Sequence, residues 1–187
     1  MLNIGDSVPE MEFEIYHDDK IKKVSFKEFE GKWIVLFFYP ADFTFVCPTE
    51  LREIADMYSK LQEVGVEVIS VSTDTVFTHK AWHDTSDAIK GVKFPMAADP
   101  SGKLCKTFGT YIEEEGLSLR GTFIIDPNGT LKMLEIHDNS IGRSAKELFR
   151  KIQAAQFVEK HGDKVCPASW TPGEDTLEPG IDLVGKI

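Results

Sequence analysis

Basic residues are in short supply in this chain of 187 residues, and their shortage excludes two classes of partner. Lys and Arg number 21 against 31 Asp and Glu, so the formal net charge is −10. Nucleic acid and anionic membrane surfaces are bound through basic surfaces, so neither is expected as a partner. No apolar run approaches the roughly 20 residues of a membrane-spanning helix. The first six residues lack the basic and apolar regions of an export signal, and we therefore expect a cytoplasmic protein.

Cysteine is also scarce, with only Cys47, Cys105 and Cys166. An odd number without a C-x-x-C pair predicts neither a zinc site nor a disulfide framework. We expect no bound metal and no bound cofactor. In a reducing compartment each cysteine is then a buried bystander or a reactive thiol. Cys105 has no motif around it, and we expect an inert packing residue there.

The first half of the chain predicts a β-α-β unit. Residues 33–39 form a wholly apolar run without alternation, which is typical of a strand covered on both faces. Residues 66–71 are rich in β-branched side chains and predict a second central strand. Residues 75–86 favour a helix, and residues 94–97 a short edge strand. Between the two central strands, apolar residues recur at helical spacing at Leu51, Ile54, Ala55, Tyr58 and Leu61.

The remaining patterns complete an α/β fold. Residues 11–26 predict an N-terminal hairpin, and Pro127-Asn128-Gly129 predicts a turn between two later strands. A last amphipathic helix is expected to end near His161. This order favours a thioredoxin-like fold, with a central mixed β-sheet flanked by helices. Residues 163–187 contain three prolines and no clear period, so we expect a domain at 1–162 and an extended C-terminal tail at 163–187.

Cys47 is the candidate nucleophile because it lies at or near the first turn of the predicted helix. Unpaired backbone N–H groups and the positive end of the helix dipole favour a thiolate there. A lone cysteine is more often structural. A structural role leaves unexplained Thr44, whose hydroxyl can reach a helix-start N–H or the sulfur, and Pro40, which restricts the backbone. If Thr44 caps the helix, Pro48 disfavours the helical conformation of Cys47 and makes this turn marginally stable.

These residues resemble a known family. Pro40-x-x-x-Thr44-x-x-Cys47 resembles the active-site pattern of peroxiredoxins, and the run from Phe38 to Glu50 is similar to their typical two-cysteine branch. Val165-Cys166-Pro167-Ala168, followed by Trp170 and the ending 182–187, is similar to the peroxidase subunits of bacterial alkyl hydroperoxide reductases. The resemblance covers essentially the whole chain.

The resemblance implies a thiol-dependent peroxidase acting on hydrogen peroxide and organic hydroperoxides. In this interpretation Cys47 attacks the peroxide and becomes a sulfenic acid, while Thr44 and Arg120 complete the site. Pro40 shields the site, and Glu50 holds an arginine in place. From the residues alone, Arg120 would be interpreted as a solvated loop cation, and only the resemblance reverses that interpretation.

The resemblance also implies partners. Cys166 of a second subunit condenses with the sulfenic acid to give an intersubunit Cys47–Cys166 disulfide. The reductant is then a flavoprotein disulfide reductase, as in NADH-dependent alkyl hydroperoxide reductase systems, or a thioredoxin-like protein. A homodimer assembles into a ring of five dimers. The regions that match the ring contact contain Phe43, Phe77, Thr78 and Trp82.

Two alternatives stay open at this point. One is a redox-regulated chaperone-like ring. A disulfide oxidoreductase is disfavoured, because it needs a second thiol three residues after Cys47 and Glu50 stands there. His79 and His83 share one helical face, and without a third ligand we expect a surface or interface pair rather than a metal site.

Overall fold

A computed structural model describes residues 2–187. In these residues it has fifteen elements, and strands and helices alternate from Trp33 to Phe108. The α-helices are α1 (Cys47–Glu63), α2 (Val76–Thr85), α3 (Lys103–Phe108) and α4 (Ala145–Lys160), with 3₁₀ turns at Phe26–Phe29 and Ile181–Leu183. The strands are β1 (Glu12–His17), β2 (Lys20–Ser25), β3 (Trp33–Phe38), β4 (Val66–Ser72), β5 (Met96–Ala98), β6 (Tyr111–Ile112), β7 (Leu117–Ser118), β8 (Arg120–Ile125) and β9 (Leu131–His137).

Seven strands form one mixed sheet in the order β2-β1-β5-β4-β3-β8-β9. β3 pairs in parallel with β4 and antiparallel with β8. Both predicted hairpins are present, as β1–β2 and β8–β9. The mixed sheet of the predicted α/β fold is therefore confirmed. β6 and β7 form a separate two-stranded ribbon.

The core explains the apolar run of the sequence. Every residue of β3 is buried, as expected of a central strand covered on both faces. Phe38 of this strand lies among Phe108 and Phe123, whose ring centroids are 5.3 and 5.4 Å from its own. Helix α1 buries one apolar face, and each such side chain contributes about 1.5–3 kcal/mol of burial free energy. The rigid strand and helix together fix the loop between them.

The prediction of an edge strand at residues 94–97 is wrong. β5 lies inside the sheet, where it pairs antiparallel with β1 and parallel with β4. The N-terminal hairpin adds to the sheet beyond β5 and covers the edge that β5 would otherwise present. The spacing of the strands along the sequence does not show which strands lie side by side in the sheet.

The structure forms two compact units, one ending at Ser144 and the other running from Ala145 to Ile187. This division groups α4 with the tail, and the functional boundary at 162/163 stays a prediction. The tail is not simply extended, because Val165 bridges Leu177 and Trp170 is buried. Along residues 2–187, none of the helices combines the length and apolarity that crossing a bilayer requires.

Candidate active site

Cys47 is the first residue of α1 and is fully buried. β3 ends at Phe38, and residues 39–46 form the loop that leads into the helix. We call residues 39–46 the cysteine loop. Pro40 in this loop is buried. The position of Cys47 within the first helical turn agrees with the prediction from the apolar spacing of α1.

Thr44 does not cap α1, so the condition under which Pro48 was expected to make the first turn marginally stable is not met. The capping position is Val46, and no side chain in the described chain caps the helix there. The Val46 carbonyl accepts the amides of Thr49 and Glu50 at 3.0 and 3.2 Å. Thr44 Oγ1 instead donates to the carbonyl of Ala41 at 2.8 Å, which closes the cysteine loop on itself.

Arg120 reaches the sulfur from the start of β8. Because β8 pairs antiparallel with β3, its first residue arrives at the end of the sheet where β3 delivers the cysteine loop. Arg120 Nη1 lies 3.4 Å from Cys47 Sγ and 2.8 Å from Glu50 Oε2. Its Nε donates to the carbonyl of Asn139 at 2.9 Å. The side chain is buried, so the solvated loop cation expected from the residues alone is not what the structure contains.

Glu50 holds two guanidinium groups in one buried cluster. Its Oε1 accepts from Arg143 N and Nε at 2.8 and 2.9 Å, and its Oε2 accepts from Arg143 Nη2 at 3.0 Å and from Arg120. Burial alone would raise the pKa of Glu50, but the hydrogen bonds and charge of Arg143, with Arg120, outweigh it and lower the pKa below 4.5. The cluster contains one carboxylate and two guanidiniums. Its excess positive charge suits an anionic sulfur at Cys47.

Arg143 is a site residue that the sequence reasoning missed. It lies between β9 and α4 and is 93 residues from Glu50 along the chain. Its Nη1 also donates to Gly121 O and Thr122 Oγ1 at 2.8 and 3.1 Å, and its guanidinium lies 3.4 Å from the ring centre of Phe37. In the sequence Arg143 stands out only by following Gly142, and in the structure a Cβ at Gly142 would lie 3.4 Å from Val46 Cγ1.

The surface interpretation of His79 is also wrong. His79 is fully buried, with Nδ1 2.8 Å from Asp42 Oδ2 and Nε2 3.1 Å from the Ala97 carbonyl. Tyr39 donates to the other oxygen of Asp42 at 2.7 Å. Burial, reinforced by Asp42, raises the pKa of Tyr39 well above 10.0. This network ties the cysteine loop to α2 and β5.

The other two cysteines lie in different surroundings. Cys105 on α3 is fully buried, and burial raises the pKa of its thiol to about 12. Cys166 in the tail is half-buried. All three cysteines within residues 2–187 are free thiols. The same residues contain no cluster of three His, Cys, Asp or Glu able to hold a metal ion.

The model of the AhpC/TSA family matches residues 4–134, more than half of the chain. The chain belongs to the AhpC/TSA family. The model of the C-terminal domain of 1-Cys peroxiredoxin matches residues 154–183, a segment that in this AhpC/TSA protein contains Cys166.

Individual relatives extend the likeness to the full length. The chain is 50% identical over 184 residues to alkyl hydroperoxide reductase C of Salmonella typhimurium, covering 98% of each protein. It is 54% identical over 169 residues to alkyl hydroperoxide reductase C of Staphylococcus epidermidis, covering 90% of this chain and 89% of the relative.

Solved structures share the fold. The crystal structure of Enterococcus faecalis AhpC has a TM-score of 0.87 and 48% identity, covering 89% of this chain and all of that one (100%). Reduced Plasmodium vivax 2-Cys peroxiredoxin has a TM-score of 0.91 and 34% identity, covering 96% and 94%. The predicted thioredoxin-like peroxiredoxin fold is confirmed. This AhpC/TSA protein is a thiol-dependent peroxidase, and the chaperone-like ring is not favoured.

Proposed function

We propose that Cys47 is the peroxidatic residue of this enzyme and that it reduces hydrogen peroxide and organic hydroperoxides. The observation that carries the proposal is the 3.4 Å approach of Arg120 Nη1 to Cys47 Sγ in a buried cluster with excess positive charge. Curated relatives named alkyl hydroperoxide reductase C support organic hydroperoxides as substrates.

In the first step the Cys47 thiolate attacks the terminal peroxide oxygen. An S–O bond forms, the O–O bond breaks, and the leaving oxygen takes a proton to depart as an alcohol, or as water from hydrogen peroxide. The N–H groups of Arg120 stabilise the negative charge that grows on the leaving oxygen. Thr44 directs its own proton to Ala41, which leaves its lone pairs able to accept the hydroperoxide O–H. Pro40 is buried, lacks an N–H group and shields the sulfur from water.

In the second step Cys166 of another subunit attacks the Cys47 sulfenic acid. The S–O bond breaks, water leaves, and an intersubunit disulfide forms. Two electrons from a flavoprotein disulfide reductase or a thioredoxin-like protein then restore both thiols. Cys166 lies in the proline-containing tail, between α4 and the last 3₁₀ turn. A thiol outside the strands and helices suits attack on Cys47 of another subunit.

We further propose a homodimer that assembles into a ring of five dimers in the cytoplasm. Phe43 and Phe77 support the assembly, because their side chains are 57% and 71% exposed and large exposed aromatics mark interaction surfaces. Trp82, from the same set, is buried beneath Phe43, with ring centroids 5.9 Å apart.

Three matched serine variants test the proposal. Cys47→Ser should abolish hydroperoxide consumption in the presence of a small-molecule dithiol. Cys166→Ser should still form the sulfenic acid but yield no disulfide-linked dimer on a non-reducing gel. Cys105→Ser is the control and should keep the parent rate. Consumption that survives Cys47→Ser would overturn the assignment. Suppression of client aggregation, measured in parallel, tests the chaperone alternative. It should be the same in Cys47→Ser and in the parent.

A further inference from the structure

One face of α4 carries the tail segment around Cys166. Arg150, Ala154 and Phe157 recur at intervals of four and three residues, so they line one side of the helix. Cys166 Sγ lies 3.9 Å from the Ala154 carbonyl, and the Trp170 ring lies 4.9 Å from the Phe157 ring. The segment from Cys166 to Trp170 therefore follows this face.

Arg150 fixes the far end of that segment. Its Nη1 donates to the Trp170 carbonyl at 2.9 Å. Its Nε and Nη2 donate to the two oxygens of Glu147, both at 2.8 Å, which holds the guanidinium as a two-pronged fork. Trp170 is buried, its amide donates to Pro167 O at 3.2 Å, and its indole N–H donates to Glu174 O at 3.1 Å.

The same guanidinium acts electrostatically on Cys166. Burial raises the pKa of the Cys166 thiol, and the charge of Arg150 opposes that rise. The charged groups that face Arg150 are Glu147, Glu174 and Cys166, and Lys151 faces Glu147. An isolated surface pair between Arg150 and Glu147 would contribute little. The third contact, to the Trp170 carbonyl, is what joins this pair to the tail.

We propose that Arg150 is a positioning residue for the resolving step, because its hydrogen bond to the Trp170 carbonyl holds the 166–170 segment along α4 and so sets where Cys166 lies relative to the charge of Arg150. The inference rests on the proposed role of Cys166. The reactive form of Cys166 is the thiolate, formed by loss of its proton to solvent. The thiolate attacks the Cys47 sulfenic sulfur, the S–S bond forms as the S–O bond breaks, and the departing hydroxide takes a proton to become water.

The test is the pH profile of Cys166 alkylation by iodoacetamide in the reduced full-length protein, followed by peptide mass spectrometry. Arg150→Met should raise the midpoint and lower the thiolate fraction at neutral pH roughly threefold, the equivalent of half a pH unit. Arg150→Lys should restore most of the loss. Lys146→Met, which removes an exposed charge from the same helix, should leave the profile unchanged.

Two further measurements separate charge from shape. Glu147→Gln removes the fork and leaves the charge of Arg150 uncompensated, so the midpoint should move down, opposite to Arg150→Met. At about 1 M salt the differences should shrink, because the Arg150 side chain is 25% exposed and its field is screened. Equal midpoints in Arg150→Met and the parent, or equal losses in Arg150→Lys and Arg150→Met, would overturn the proposal.

Single-turnover mass spectrometry distinguishes this inference from the function on which it rests. If one equivalent of hydrogen peroxide gives no Cys47–Cys166 disulfide in the parent, the assignment of Cys166 fails whatever Arg150 does. If the disulfide forms in the parent and forms at the same rate in Arg150→Met, the assignment of Cys166 survives and the role of Arg150 is wrong. The expected result is disulfide formation slowed roughly threefold in Arg150→Met.

Discussion

At the scale of single residues, Glu50 decides the electrostatics of the site. One carboxylate accepts three hydrogen bonds from Arg143 and one from Arg120, and every group concerned is buried. Buried charges persist only when they are paired and hydrogen-bonded. Without Glu50, two buried guanidiniums would repel one another beside Cys47. The Glu50 carboxylate therefore allows the Arg120 guanidinium to be buried next to the Cys47 sulfur.

Replacing Glu50 by glutamine should therefore destabilise the fold by about 3–5 kcal/mol, the cost of breaking a buried pair, and should slow peroxide reduction. The folded-state pKa of Glu50 lies below its reference of 4.5. Its contribution to stability is therefore present above about pH 4.5 and lost as the pH falls through the folded pKa. Urea unfolding between about pH 3 and pH 7 measures this component, which should be missing from Glu50→Gln.

Glu53→Gln is the matched control, because Glu53 is exposed on the same helix. It should unfold with the parent pH dependence. Equal losses of stability in the two variants would mean that the buried cluster contributes nothing of its own.

At the residue scale, the sequence located Cys47 through a local pattern: the apolar spacing of α1 placed it in the first helical turn, where the structure has it. Glu50 was proposed to hold an arginine only through the family resemblance, and in the structure it pairs with Arg120 and Arg143. Arg143 and His79 were missed because their partners, Glu50 and Asp42, lie 93 and 37 residues away along the chain. The role of a buried polar residue becomes evident only when its hydrogen-bonding partner is known. A single sequence does not show which distant residue that partner is.

At the scale of elements, the first turn of α1 has a helical backbone at a position where the sequence disfavours one. The residue before a proline is biased away from the helical conformation, yet Cys47 is helical and Pro48 follows it. Pro48 costs no hydrogen bond, because N–H groups of the first turn have no partner within the helix. No side chain of residues 2–187 caps this end of the helix. The turn is therefore held mainly by its surroundings, chiefly the cluster of Glu50.

Pro48→Ala should stabilise this first turn in the reduced protein, because the steric bias on Cys47 disappears. Local opening of the turn would release Cys47 toward Cys166, so disulfide formation should slow relative to sulfenic acid formation. Stopped-flow fluorescence after one equivalent of peroxide separates the two steps. Pro100→Ala, in the turn after β5, controls for general effects of removing a proline. A resolution rate equal to that of the parent would contradict the idea.

Element prediction from the sequence found the central strands and the three longer α-helices, missed α3 and the β6–β7 ribbon, and failed on lateral order. β3, α1 and β4 were found because hydrophobic spacing follows directly from burial. β5 was placed at an edge because its neighbour β1 is some 80 residues earlier and pairs with it only in three dimensions. The tail was expected to be extended because its prolines exclude regular structure, but Trp170 folds it onto α4 through Arg150 and Phe157.

At the scale of the whole molecule, the proposed cycle needs residues from both compact units and from two subunits. Cys47 and its arginines belong to the unit that ends at Ser144, and Cys166 belongs to the unit from Ala145 onward. In the proposed cycle, the assembly of subunits is therefore part of the chemistry. The surface that we propose for further assembly into a ring carries Phe43 and Phe77, and Phe43 adopts a positive φ of 56° in the cysteine loop.

Phe77→Asp should dissociate the proposed ring into dimers while leaving each subunit folded. Phe77 is exposed, so its replacement should change the free energy of unfolding by less than about 0.5 kcal/mol. A carboxylate buried at an apolar contact would be strongly unfavourable. Sedimentation velocity of the reduced and oxidised proteins measures the outcome. Ile21→Asp, the same change at an exposed apolar position on β2, should sediment like the parent. If Phe77→Asp keeps the parent sedimentation coefficient in both redox states, Phe77 does not lie in a subunit contact, and the exposed aromatics need another explanation.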